Sequence, residues 1–87
     1  MMKYSVGDLL LVKYCKFKPC PRPGLFPRLC DYPELFNSYG IVTEAIKHGD
    51  AWEGESTSHN NVYIWFSQID GKEYYFCENE VTGEVVK

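Results

Sequence analysis

Residues 62–77 carry the pattern that most limits what this chain can become. Two apolar runs, Val62-Tyr63-Ile64-Trp65-Phe66 and Tyr74-Tyr75-Phe76-Cys77, flank Asp70-Gly71. An Asp-Gly pair between apolar runs suits a two-residue type I′ β-turn. Counting outward from that turn sets Phe66 opposite Tyr75, Trp65 opposite Phe76 and Ile64 opposite Cys77. Side chains alternate along a strand. One face of this hairpin therefore carries Val62, Ile64, Phe66, Tyr75 and Cys77, and the other Tyr63, Trp65, Tyr74 and Phe76. Both faces are apolar, whereas a surface hairpin keeps one wet, so the pattern demands a cover for the second face.

The rest of the chain reads as strands around this hairpin. Val6-Gly7-Asp8 is a turn leading into the apolar run Leu9–Val12, which predicts strand 1 over residues 6–14. Leu9 and Leu11 share one face of it, Leu10 and Val12 the other. Residues 39–46 predict strand 2, and the polar stretch 47–61 a loop. Glu78-Asn79-Glu80-Val81 followed by Thr82-Gly83 predicts a tight turn before a short last strand at 84–86. Between strands 1 and 2, residues 15–38 hold all five prolines and three of the four cysteines. Proline removes a backbone donor and fixes φ, which excludes a central strand or a long helix there. Asp31-Tyr32-Pro33-Glu34 predicts one helical turn over 32–37, capped by Asp31.

At 87 residues, 45% of them hydrophobic and 16% aromatic, the chain is one domain, 1–87, too apolar for a disordered tail and rich in strand-formers. The net charge is −3, unevenly spread. Lys13, Lys16, Lys18, Arg22 and Arg28 occupy a stretch without an acid; the remainder carries four bases against twelve acids. The overall charge argues against the whole chain being a nucleic-acid binder. No run is long enough for a signal core or a membrane span, so the expectation is a cytoplasmic protein with reduced thiols and no membrane association.

The order of a Gly-Asp strand, a long loop, a Gly-Ile-Val strand, a loop, a hairpin, a single turn and a short strand resembles the SH3-like small barrel. The likeness rests on Val6-Gly7-Asp8-Leu9, Gly40-Ile41-Val42-Thr43-Glu44, Val62-Tyr63-Ile64-Trp65-Phe66 and Glu78-Asn79-Glu80-Val81, and does not cover 15–38. The arrangement is also similar to that of short proteins encoded by tailed bacteriophages, including phages of marine cyanobacteria. The resemblance implies an all-β, five-stranded barrel or half-barrel with a long Pro/Cys-rich first loop and one short helical turn, located in a host cell's cytoplasm if viral. It implies no activity.

Four constellations bear on function. Cys15, Cys20, Cys30 and Cys77 have one x4 spacing, then x9, and no second knuckle. The usual zinc template pairs two short knuckles, so they read as buried small side chains, with no metal or cofactor. His48 and His59 bracket a polar loop, and nothing aligns them with a cysteine nucleophile. The basic stretch, with Phe17 and Phe26 between its charges, suits a nucleic-acid backbone with stacked bases, or else balances the acidic remainder. The aromatic face Tyr63, Trp65, Tyr74, Phe76 suits a Pro-rich peptide, a homodimer, or cover from the chain's own Pro19–Pro33 segment. Internal cover is favoured, because large exposed apolar patches are rare on monomers. The expectation is a non-enzymatic binding or accessory protein that engages another protein or itself. The alternatives are a nucleic-acid module using the basic loop, or a small enzyme for which no motif speaks.

Overall fold

The computed structural model describes residues 2–15, 27–47, 61–78 and 81–86. They form one antiparallel sheet of five strands: β1 (Leu9–Cys15), β2 (Ser38–Ile46), β3 (Val62–Ser67), β4 (Glu73–Cys77) and β5 (Val81–Val86). Its order is β4-β3-β2-β1-β5, so each strand from β1 to β3 pairs with its successor and β5 returns to the outer side of β1. Two single 3-10 turns, Leu29–Asp31 and Pro33–Leu35, precede β2. The protein is all-β.

Alternation dictates which side chains enter the core. Leu10 and Val12 are fully buried, while Leu9 and Leu11 on the opposite face remain partly exposed. Register shifts between Val12 and Tyr14 on β1, and between Val42 and Glu44 on β2, mark extra residues in the ladders. Such bulges bend a strand and increase its twist. The main core gathers Leu10, Val12, Val42, Tyr63, Trp65, Tyr74, Phe76 and Val81, with Leu29 and Leu35 from the 3-10 turns and Tyr4 from the N-terminal segment. A second buried cluster, Ile46, Val62, Ile64, Tyr75 and Cys77, lies on the other face of the β3–β4 hairpin.

The hairpin register differs from the sequence expectation by two residues. Phe66 pairs with Glu73, Trp65 with Tyr74, Ile64 with Tyr75 and Tyr63 with Phe76. The loop has four residues, Gln68 to Gly71, closed by Ser67 N–H to Lys72 O (2.9 Å) and Gly71 N–H to Ser67 O (3.0 Å). Gly71 does take a positive φ of 69°, but Asp70 does not, which excludes type I′. Side chains hold this longer loop: Asp70 Oδ1 accepts from Lys72 N–H (3.0 Å) and Ser67 Oγ from Ile69 N–H (3.2 Å). Local hydrogen bonds of Asp and Ser thus outcompeted the two-residue turn. Because the slip is two residues and the side-chain period is two, every residue keeps its expected face.

Three other expectations change. Thr82-Gly83 is not a turn, since β5 runs unbroken from Val81 and Gly83 pairs with Val12. The predicted helical turn exists as the 3-10 turn Pro33–Leu35, preceded by an unpredicted one at Leu29–Asp31, but Asp31 does not cap; its carboxylate accepts from Arg28 Nη2 at 3.2 Å. Cys30 is disulfide-bonded, contrary to an all-thiol reading, while Cys77 is a buried thiol outside any disulfide. The rule tying reduced thiols to a missing export signal concerns the compartment, not whether two sulfurs meet.

Candidate functional site

The aromatic face singled out by the sequence is the centre of the core. Tyr63, Trp65 and Phe76 are fully buried and Tyr74 nearly so. Among the described residues, Leu10 and Val12 of β1, Val81 of β5, Leu29 and Leu35 of the 3-10 turns and Tyr4 share the core with them. The Pro19–Pro33 segment contributes Leu29 and Tyr32, the latter edge-on to Tyr74 at 5.1 Å between ring centroids. Prolines are not the covering residues among those described, for Pro27 and Pro33 are exposed. Trp65 is fixed further by its indole N–H, which donates to Leu10 O at 3.2 Å. The indole lies against Gly40, where an added Cβ would stand 2.4 Å from Trp65 Cε2. These four side chains face inward, into the core.

Two tyrosine hydroxyls emerge from the core onto carboxylates. Tyr74 donates to Asp70. Tyr63 donates to Glu78 and accepts from the N–H groups of Lys3 (2.9 Å) and Tyr4 (3.2 Å). Glu78 also accepts from Lys3 N–H (2.9 Å) and the Asn61 amide (3.2 Å). Burial, reinforced by these acceptors, pushes both hydroxyls up to about 12. Burial works to raise Glu78 as well, but the hydrogen bonds from Tyr63, Lys3 and Asn61 outweigh it and hold the carboxyl below its ordinary value. Asp70 is lowered chiefly by the bond from Tyr74. The Glu78 cluster ties the N-terminal segment to the mouth of the hairpin, and Tyr4 packs edge-on to Tyr63 beside it.

The basic stretch is partly engaged with acids. Lys13 Nζ lies 3.1 Å from Glu84, and Arg28 pairs with Asp31. Lys16, Lys18 and Arg22, along with His48, His59 and Cys20, lie outside the described residues. Among the described residues, no group of three His, Cys, Asp or Glu side chains converges.

A surface that the sequence did not single out lies on the outer face of the sheet. Strand register aligns Val86, Leu9, Ile41 and Phe66 in one row across β5, β1, β2 and β3. Leu11 and Tyr39 form a second row beside it. Tyr39 is 45% exposed, Val86 41% and Phe66 38%, and Leu9, Leu11 and Ile41 are half-buried. Glu73 ends the first row opposite Phe66, and Glu84 ends the second opposite Leu11. Thr43 Oγ1 donates to Glu73 at 2.9 Å and orients that carboxylate. The signal for this surface was in the alternation of Leu9 and Leu11, but no single strand shows it; only the register joins four strands into a row.

No family model, no curated protein and no solved structure matches the chain.

Proposed function

We propose that this chain is a non-enzymatic protein-binding module, built on an SH3-like small barrel, that meets its partner through the outer sheet face. The observation that carries this reading is the exposed row Phe66-Ile41-Leu9-Val86 with Tyr39 and Leu11 beside it. An apolar patch of several aligned side chains on a domain whose core is already filled marks an interaction site rather than unburied core. The strand order β4-β3-β2-β1-β5, with bulges in β1 and β2, supports the SH3-like architecture. A nucleic-acid role for the basic stretch draws less support, because Lys13 and Arg28 are both drawn onto carboxylates.

The test is a titration of the isotope-labelled chain with a neutral peptide of alternating Ser and Leu, followed by NMR. Shift changes concentrated at Leu9, Ile41, Phe66 and Val86, and lost in Phe66→Ser, are expected. Changes clustered at Lys13 and Arg28 on adding single-stranded DNA, with none on the outer face for any peptide, would replace this reading with the nucleic-acid one.

A further inference from the structure

Resting on that reading of the outer face, we infer the chemistry of its partner: a short segment with an apolar middle and a basic residue at each end. The apolar part follows from the row itself. Two aromatic side chains about 40% exposed contribute roughly 150 Å² between them. With the four aliphatic side chains the patch reaches about 300 Å², within the size range of functional patches on monomers. A stable dimer needs about 800 Å² from each partner. A second copy of this chain therefore finds too little area here, while a short segment finds enough.

Charge decides the ends. The rows terminate in Glu73 on β4 and Glu84 on β5, at opposite margins of the sheet. Among the described residues Lys13 lies beside them, 3.1 Å from Glu84. Two copies set face to face would lay these acidic margins against each other, whereas lysine or arginine on a partner meets Glu73 and joins Lys13 on Glu84, whose side chain stays 67% exposed. Like-charge juxtaposition across an interface is costly, and complementary rim charges steer encounter. The spacing is set by the sheet. Neighbouring strands lie about 4.8 Å apart, so β4 and β5 are separated by roughly 19 Å. An extended segment rises about 3.3 Å per residue, so some six or seven residues laid across the strands connect the two carboxylates. Alternate side chains of such a segment face the row.

The probe is the peptide Lys-Ser-Leu-Ser-Leu-Ser-Lys with blocked termini, whose lysines and leucines share one face when extended, compared with its neutral version and with a version ending in Glu. NMR titration of the full chain is expected to place the shifts at Leu9, Ile41, Phe66 and Val86. The lysine-ended peptide binds at least tenfold tighter than the neutral one, and this advantage shrinks in Glu73→Gln, in Glu84→Gln and at high salt. The glutamate-ended peptide binds weakest. Phe66→Ser and, independently, Tyr39→Ser weaken all three peptides. Equal binding of the lysine- and glutamate-ended peptides overturns the partner chemistry and leaves the outer face as a binding site. No shift on the outer face with any peptide overturns both. A dimer in sedimentation that Phe66→Ser dissociates assigns the face to a second copy and overturns the inference.

Discussion

Gly40→Ala is the substitution whose outcome the packing decides most sharply. A Cβ at position 40 would stand 2.4 Å from Trp65 Cε2, 2.6 Å from Trp65 Nε1 and 2.5 Å from the carbonyl oxygen of Phe66. The oxygen belongs to the paired strand and cannot withdraw without opening the β2–β3 ladder. The indole is fully buried and anchored to Leu10 O, so it cannot swing away without losing that bond. Overpacking a core costs about 1–3 kcal/mol. Stranding the buried indole N–H adds about 1–3 kcal/mol. Against this, replacing glycine within a strand returns about 0.5–1 kcal/mol. The net expectation is a loss of about 2–5 kcal/mol, a large share of the roughly 5–15 kcal/mol that holds a domain together. Guanidinium titration followed by circular dichroism should show a lower midpoint at unchanged slope. Trp65→Leu placed in the Gly40→Ala background should cost less than in the native chain, giving a coupling of at least about 1 kcal/mol. A loss below about 0.5 kcal/mol, or strict additivity of the two changes, would refute the argument that the indole is what forbids a side chain at position 40.

The other predictions rest on separate features. Gly71→Val should lose about 1–3 kcal/mol in the same titration, because its φ of 69° is left-handed and a β-branched residue resists it. Trp65→Ala should lose about 3–5 kcal/mol and its neighbour Phe66→Ser at least about 1 kcal/mol less, since Trp65 is fully buried while Phe66, on the opposite face, is 38% exposed. Tyr63 and Tyr74 ionise near 10 when unfolded and about 12 when folded, so their contribution is whole below pH 10 and disappears as pH rises toward 12. Phe at both positions should flatten that alkaline decline in denaturation midpoints. Glu78 and Asp70 are lowered by folding, so their contribution is present at neutral pH and lost as pH falls below about 4, and Glu78→Gln should flatten the acid decline.

The amino-acid sequence by itself determined what depends on alternation. The all-β class, the extent of β2, the two faces of the hairpin and the inward side of β1 are properties of a period of two, which Leu10 and Val12 or Tyr63 and Trp65 express locally. The positive φ at Gly71 was legible for the same reason, since one residue's freedom is a local matter. Tertiary structure decided what depends on distance between strands. The hairpin slipped two residues because Ser67 and Asp70 bind backbone groups in the loop, a competition invisible to a count outward from Asp-Gly. Tyr63, Trp65, Tyr74 and Phe76 proved to be core because side chains from β1, β5, the 3-10 turns and the N-terminal segment gather with them, and β5 pairs with a strand some seventy residues away in sequence. The outer row of Phe66, Ile41, Leu9 and Val86 comes from four strands, each of which gives a single ordinary apolar residue. Periodicity assigns a side chain to a face; only the register of one strand on the next places those side chains side by side.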